Sequence, residues 1–282
     1  MRQSPLSKTV STLRHHLWPI TASLLLCGCA SGPVERHQAP AQATQATQPE
    51  PAQSEAQPQP GMGSQATTTQ PADQRFQLWL DNFRATARTA GIDEETLHVT
   101  LDKVRLRPRA VELDRTQPEF TRALWDYVEA IVSPQGIANG QQKLAQYKSE
   151  ADAASARYGV PGPILMAVWG LESNYGSNYG DVPVFDALAT LGFEGRREAW
   201  ARNELLAALK IVQQRDIDSS RMIGSWAGAM GQTQFMPSSY LTYADDADGD
   251  GRRDIWCSMA DVLASTPNFL ARSGWRAEET SG

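Results

Sequence analysis

One carboxylate stands in an otherwise apolar stretch of the sequence, AVWGLESNYG at residues 167–176. Prolines and apolar residues precede it and predict a mostly buried helix. Leu165, Val168 and Trp169 lie seven, four and three residues before Glu172, so all four share one helical face. A charge on such a face costs several kcal/mol unless it is paired, protonated or open to a cleft. Glu172 is therefore either a satisfied buried glutamate or a general acid with a raised pKa.

The residues after Glu172 favour the second interpretation. Ser173, Tyr175 and Gly176 follow the carboxylate and predict that the helix breaks directly after it. A break at this point would expose the carboxyl group at a cleft. Such an acid suits proton donation to a glycosidic oxygen.

A second segment, GSWAGAMGQTQFMPSSYLTYA at residues 224–244, combines small residues with neutral polar and aromatic ones. Its glycines allow very close backbone approach, either to a ligand or to another helix. Amides and hydroxyls beside aromatic faces suit a carbohydrate better than a phosphate. The polar candidates are Ser225, Gln232, Gln234, Ser238 and Ser239. The alternative interpretation is a tight helix–helix packing motif.

A third segment, DDADGDGRRDIW, matches the first half of an EF-hand calcium loop. Aspartates alternate along it and a glycine follows them, but Cys257 stands where the bidentate glutamate belongs. Asp254 or Asp261 could supply the missing oxygens. The alternative is an Asp/Gly-rich turn without metal.

Other chemistries find little support in the sequence. The four histidines are His15, His16, His37 and His98, and only the last falls within the predicted domain, which argues against a zinc site or a histidine-based triad. No Walker-type phosphate loop occurs. A net charge of −6 and a pI near 5.3 argue against nucleic acid as a partner.

The N-terminus has the pattern of a secretion signal. A short apolar run ends in Leu26-Cys27-Gly28-Cys29, which resembles a bacterial lipobox. Residues 1–28 are thus predicted to be a lipoprotein signal peptide and Cys29 to be the lipidated residue. Ala30 favours the outer membrane, with the protein facing the periplasm of a Gram-negative cell. The alternative is an ordinary signal peptide with two incidental cysteines.

Residues 29–72 are rich in Ala, Gln and Pro and predict a disordered tether, whereas residues 73–282 form the folded domain. Helical periodicity and the absence of alternating strands predict a mainly α fold. The six predicted helices cover residues 76–91, 93–104, 115–132, 140–159, the Glu172 segment and 196–216.

These stretches together resemble the membrane-bound lytic murein transglycosylase B family, glycoside hydrolase family 103. The match runs from about residue 75 to Trp275 and includes YGVPGPILMAVWGLESNYG and GSWAGAMGQTQFMPSSY. It implies a lysozyme-like helical core and cleavage of the β-1,4 bond between N-acetylmuramic acid and N-acetylglucosamine in peptidoglycan. The product carries a 1,6-anhydromuramic end. Implied partners are glycan strands, the outer membrane through the lipid anchor, and cell-wall synthesis or division proteins.

The resemblance also assigns roles to residues. Glu172 is implied as the single catalytic acid/base, and Ser225 and Gln234 line the sugar groove, with Tyr175 and Gln232 as further substrate-binding candidates. No cofactor is required, but a structural calcium ion is expected at Asp246, Asp248, Asp250, the carbonyl of Arg252 and Asp261. One carboxylate is enough in this family because the C6 hydroxyl of muramic acid is the nucleophile.

Two alternatives stay open. A lysozyme-type hydrolase would need a second acid, for which Asp181, Asp186 and Glu194 are candidates. A non-catalytic peptidoglycan-binding lipoprotein would result if the domain is C-terminally short, because family members usually continue well past Trp275. That later part supplies an asparagine and aromatic residues to the family's active site. A calcium-stabilised scaffold without sugar activity is disfavoured by the Glu-Ser pair.

Overall fold

The computed structural model describes residues 71–116 and 132–277. The signal peptide, Cys29, nearly all of the linker and most of the predicted helix at 115–132 lie outside these ranges. Within them the helices are α1 Ala72–Thr89, α2 Glu94–Leu101, α3 Pro108–Thr116, α4 Pro134–Gln146, α5 Lys148–Tyr158, α6 Gly162–Ser173, α7 Val184–Glu194, α8 Glu198–Gln213, α9 Pro237–Tyr243 and α10 Met259–Arg272. The mainly α prediction is confirmed. None of the described helices is long and apolar enough to cross a membrane.

The predicted helix at 140–159 was wrong in its extent. The structure has two helices there, α4 and α5, which meet at Tyr147 with φ −113° and ψ 36°. The N-terminus of α4 lies further upstream, where the Ser133 side chain accepts a hydrogen bond from the Gly136 N–H. The helix α5 ends at Gly159 in the left-handed conformation, as the sequence predicted.

The core has two main parts. In the first, α1, α2, α7 and α8 pack together, and α7 is buried along its length from Val184 to Gly192. In the second, α5, α6 and α10 pack around Leu165, Met166 and Trp169. The helix α6 therefore buries one face against neighbouring helices, and its last residue, Ser173, is also buried.

A two-stranded antiparallel sheet brings the chain after α6 to the glycine-rich segment. Its strands are β1 Val182–Pro183 and β2 Ile223–Gly224, with Val182 opposite Gly224. The approach is so close that a side chain at Gly180 would overlap the carbonyl oxygen of Gly224. This pairing positions the loop that follows Glu172 against the segment that begins at Gly224.

Candidate active site

Glu172 is the penultimate residue of α6, at the point where the helix stops. Asn174 and Tyr175 both adopt positive φ, at 47° and 58°. Their amides donate to the carbonyl oxygens of Gly170 and Trp169, which closes the helix end. The predicted helix break directly after the carboxylate is confirmed.

The carboxyl group of Glu172 is poorly solvated. The residue is half-buried, and burial raises the pKa of its carboxyl group from 4.5 to about 7. Across residues 71–116 and 132–277, no hydrogen bond or ion pair ends on this carboxylate. A glutamate with a purely structural role would be expected to have such partners. The geometry is that of an acid that holds its proton close to neutral pH.

This raised pKa has a consequence for stability. The folded state binds the proton more tightly than the unfolded chain, so the free energy of unfolding falls as pH rises from about 4.5 to about 7. Glu172→Gln removes the charge, and we expect it to stabilise the protein by about 2 kcal/mol at pH 8 and by nothing measurable at pH 4. Thermal unfolding of both proteins at the two pH values checks this. Equal destabilisation at both pH values would instead identify Glu172 as a structural residue.

Trp169, one helical turn before Glu172, connects two of the predicted site residues. Its Nε1 donates to Oε1 of Gln232 at 3.0 Å, and the ring of Tyr175 meets it edge-on at a centroid distance of 5.5 Å. The hydroxyl of Tyr175 donates to the Gly136 carbonyl at 3.0 Å. The structure thus brings Tyr175 and Gln232 together around Trp169, with their polar groups engaged within the protein.

Ser225 and Gln234 lie in the glycine-rich segment and are both buried. The Ser225 hydroxyl oxygen accepts hydrogen bonds from the N–H groups of Ala227 and Ala229, at 3.3 and 3.1 Å. Gln234 has φ of 51°, and its Nε2 donates to the carbonyl oxygens of Tyr179 and Gly231, both at 3.0 Å. Among the described residues no donor reaches its Oε1, which leaves that oxygen able to accept from a ligand.

The glycine-rich segment is a compact turn rather than a helix–helix packing motif. Residues 225–236 contain no helix, and Met230 forms bridges to Gly224 and Phe235. The amide of Ser225 donates to the Ala229 carbonyl at 2.8 Å, which folds the segment back on itself. This turn holds Ser225 and Gln234 in place independently of any ligand.

The candidate second acids have other partners or lie in solvent. Asp186 is buried and forms an ion pair with Arg107 at 2.6 Å. Glu194 pairs with Arg75 at 3.3 Å, and Asp181 is exposed. None of the three is, like Glu172, half-buried and without a polar partner in the part of the chain that the structure describes.

The aspartate-rich loop gathers part of the predicted calcium site. Carboxylate oxygens of Asp246, Asp248 and Asp261 lie within 4.8 Å of one another. Asp261 is fully buried, burial raises its pKa to about 6, and it accepts hydrogen bonds from two backbone N–H groups. Asp250 is outside this group, and its carboxylate accepts from the Arg252 N–H at 2.8 Å. Convergent carboxylate oxygens are the ligands that Ca²⁺ prefers.

The structure has a groove at the start of α8 that the sequence did not predict. It has a volume of about 510 Å³, and three of its lining residues are arginines. The guanidinium of Arg197 lies 4.3 Å from the ring centroid of Trp200, and buried Asp114 accepts from the Arg196 N–H. The basic run RREAWAR was the available signal. The three arginines already pair with carboxylates of the protein, Arg196 and Arg197 with Asp114 and Arg202 with Glu198.

Comparisons with known proteins identify the family. The transglycosylase SLT domain model matches residues 75–282. The membrane-bound lytic murein transglycosylase B of Escherichia coli K12 is 32% identical over 195 residues, which are 66% of this chain and 54% of that protein. The chain therefore spans about half the length of this curated relative.

Two solved structures illustrate the structural similarity. SltB3 from Pseudomonas aeruginosa, in complex with NAG-NAM-pentapeptide, is 50% identical with a TM-score of 0.71, and the match covers 72% of this chain and 55% of SltB3. Lytic transglycosylase Slt35 from Escherichia coli, in complex with calcium, is 30% identical with a TM-score of 0.64. The match covers 78% of this chain and 68% of Slt35. Because the family model matches well over half of the chain, this chain belongs to the transglycosylase SLT domain family.

Proposed function

We propose that this chain is a lytic transglycosylase that cleaves the β-1,4 bond between N-acetylmuramic acid and N-acetylglucosamine in peptidoglycan. The observation that carries the proposal is Glu172, a carboxyl group at a helix end. It has no hydrogen-bond or ion-pair partner among the described residues, and burial raises its pKa to about 7. Family membership supports it, as does the NAG-NAM-pentapeptide bound to SltB3.

A single carboxyl group can perform both proton transfers of this reaction. Protonated Glu172 donates its proton to the glycosidic oxygen as the bond to the muramic acid C1 breaks. The resulting carboxylate then takes the proton from the C6 hydroxyl of muramic acid, whose oxygen bonds to C1 and closes the 1,6-anhydro ring. Glu172 ends the cycle protonated, and no water is consumed.

Two residues of the glycine-rich turn are proposed to hold the glycan. Gln234 offers its open Oε1, and Ser225 can donate its hydroxyl proton while its oxygen accepts backbone N–H groups. Neutral groups of this kind suit sugar hydroxyls and N-acetyl groups. Because this turn packs against the loop after Glu172, a glycan bound there would lie beside the acid.

Purified peptidoglycan sacculi provide the test. The full chain is incubated with sacculi, and both soluble muropeptides and sacculus-bound protein are measured. Soluble products support the enzyme. Protein that binds the sacculi without releasing any product would instead identify the non-catalytic binding lipoprotein.

We also propose a structural calcium ion held by Asp246, Asp248 and Asp261. Slt35, solved with calcium, supports this proposal, and so does the convergence of the three carboxylates. The ion would neutralise their mutual repulsion and brace the loop before α10. It takes no part in bond cleavage.

Calcium is therefore expected to raise thermal stability. With a dissociation constant on the order of 10⁻³ M, about 10 mM calcium adds about 1.4 kcal/mol to the free energy of unfolding. Asp261→Asn should abolish the increase, and the same concentration of magnesium should give little of it because Mg²⁺ demands octahedral geometry. Calorimetry with and without each ion measures the effect. An equal response in the Asp261→Asn protein would place the ion elsewhere.

The cellular location is proposed from the sequence and from the relative. We place the protein in the cell envelope, lipidated at Cys29 and anchored to the outer membrane on its periplasmic side. The lipobox-like Leu26–Cys29 stretch supports the anchor, and the Escherichia coli relative is named as membrane-bound. Such a location gives access to peptidoglycan.

A further inference from the structure

The side chain of Gln232 is held at both ends by other protein groups. Its Oε1 accepts the indole N–H of Trp169 at 3.0 Å, and its Nε2 donates to the Trp256 carbonyl at 2.7 Å. Its backbone N–H donates to the Ile255 carbonyl at 2.9 Å. Gln232 and Gln234 are equally exposed, at 8%, so the hydrogen bonds of their side chains distinguish them. Gln232 thus differs from Gln234, whose Oε1 has no donor among the described residues.

Trp256, whose carbonyl accepts from Gln232, is itself held by hydrogen bonds. Trp256 is buried, its amide donates to Asp254 at 2.9 Å, and its indole donates to the Ile223 carbonyl at 3.0 Å. Gly176 lies directly against the Gln232 carboxamide, so a side chain at Gly176 would overlap it. The amide of Gln232 is therefore set in one orientation before any ligand arrives.

The other end of the bridge is the indole of Trp169. This ring is buried and meets Tyr147 and Tyr175 edge-on, at centroid distances of 5.7 and 5.5 Å. Its one polar atom, Nε1, is bonded to Gln232. Trp169 precedes Glu172 by three residues, so the two side chains are neighbours on one face of α6. The indole and a carboxyl group whose pKa is raised by burial therefore lie on the same face of α6.

The pKa of Glu172 is raised by burial and not by charged groups on the helices that pack against α6. From α4, the Lys143 ammonium lies 5.8 Å from the Trp169 ring centroid. The charged groups of α5 and α10 have other partners. The pairs are Lys148 with Asp152, Glu150 with the Ser149 hydroxyl, Arg157 with Asp245, Asp261 with the Ala247 N–H, and Arg272 with the Thr242 carbonyl.

We propose that Gln232 is a positioning residue: its carboxamide fixes the Trp169 indole that shields Glu172, and it does not contact the glycan. The proposal deepens the proposed function and rests on it for its kinetic consequence. The carboxamide of Gln232 bonds to a protein group at each end, so a sugar that displaced Trp169 or the Trp256 carbonyl would leave a buried polar group unpaired, at a cost of about 1–3 kcal/mol. Gln232 therefore acts on the reaction through Trp169.

The variant that tests this is Gln232→Met, which keeps the length of the side chain and removes both hydrogen bonds. Gln213→Met is the matched control, because Gln213 also bridges two backbone groups, the Asp93 N–H at 2.8 Å and the Gly91 carbonyl at 3.1 Å. This control bridge connects the end of α8 to the turn between α1 and α2. Both variants lose a two-ended amide bridge, but only Gln232→Met loses the contact with Trp169.

The first readout is the pKa of Glu172 in the full chain, followed by NMR with ¹³C-labelled glutamate. The signal that disappears in Glu172→Gln assigns the resonance. We expect Gln232→Met to weaken proton binding at Glu172 about tenfold, a shift of about one pKa unit toward 4.5, and Gln213→Met to leave it unchanged. An unchanged Glu172 pKa in Gln232→Met would overturn the proposal.

The second readout is the pH profile of sacculus digestion. The alkaline limb should move to lower pH in Gln232→Met, with kcat reduced about tenfold and KM little changed. A raised KM with an unmoved limb would mean that Gln232 binds the glycan directly. If wild-type protein gives no turnover but the pKa shift is seen, the proposed reaction fails and the positioning of Glu172 stands.

Trp169→Phe provides a second variant in case Gln232→Met does not fold. It removes the indole N–H and keeps an aromatic ring, so it should shift the Glu172 pKa in the same direction. In the double variant the two effects should not add, because both break the same bond. Additive effects would show that Gln232 acts by another route and would overturn the proposal.

Discussion

Replacement of Glu172 by glutamine is expected to lower kcat for peptidoglycan cleavage about 10³-fold, because it removes the only proposed acid and base. The amide cannot donate to the glycosidic oxygen, and it cannot accept the C6 hydroxyl proton. Wild-type kcat/KM should also fall about tenfold per pH unit above about pH 7, as the raised pKa of Glu172 is passed and the acid form is lost. Initial rates of muropeptide release from pH 4 to pH 9 measure both effects.

Glu194→Gln is the matched control for this loss. It makes the same chemical change at a glutamate that pairs with Arg75 at 3.3 Å. We expect its kcat to stay within about twofold of wild type, as for most surface substitutions. A loss comparable to that of Glu172→Gln would reveal a second required carboxyl group, and the hydrolase interpretation would replace ours.

Gly180→Ala is expected to destabilise the domain by about 2–5 kcal/mol and to reduce activity through displacement of the loop after Glu172. Gly180 has φ of 96°, which an alanine adopts only at a cost of about 1–2 kcal/mol. The new methyl group would also overlap the Gly224 carbonyl oxygen, and overpacking of this kind costs about 1–3 kcal/mol more. Urea unfolding measures the change in free energy.

Gly91→Ala separates the two contributions. Gly91 has a similar φ of 89°, but a methyl group there would have nothing within 4 Å. It should cost only the conformational part, about 1–2 kcal/mol, and leave the rate of peptidoglycan cleavage at its wild-type value. If the two variants were equally destabilised, the close approach of Gly180 to Gly224 would contribute nothing to stability.

The sequence predicted best what local patterns determine. The helix that carries Glu172, its end at the following residues and the glycine end of α5 were all correct. The raised pKa of Glu172 also followed from the apolar face of its own helix. The spacing of the aspartate-rich loop predicted a metal site, which stays a prediction; two of the loop's carboxylates, those of Asp246 and Asp248, converge with that of Asp261 in α10.

The sequence did not predict what depends on tertiary packing. The helix α7 was missed because it is buried on nearly all sides and so lacks an amphipathic period. The pairing of β1 with β2 joins residues about forty positions apart, and strands of two residues leave no alternation to detect. The hydrogen-bond partners of Gln232 could not be predicted either, because Trp169 and Trp256 are distant from it in sequence and contact it only in the folded chain.

The most direct measurement for the central claim is product analysis of sacculi digested in ¹⁸O-labelled water by the full chain and by Glu172→Gln. If Glu172 passes a proton from the C6 hydroxyl to the leaving oxygen, mass spectrometry will find 1,6-anhydromuramic ends without ¹⁸O from the wild type, and almost none from the variant. Reducing ends that carry ¹⁸O would show that water is the nucleophile and would contradict the account.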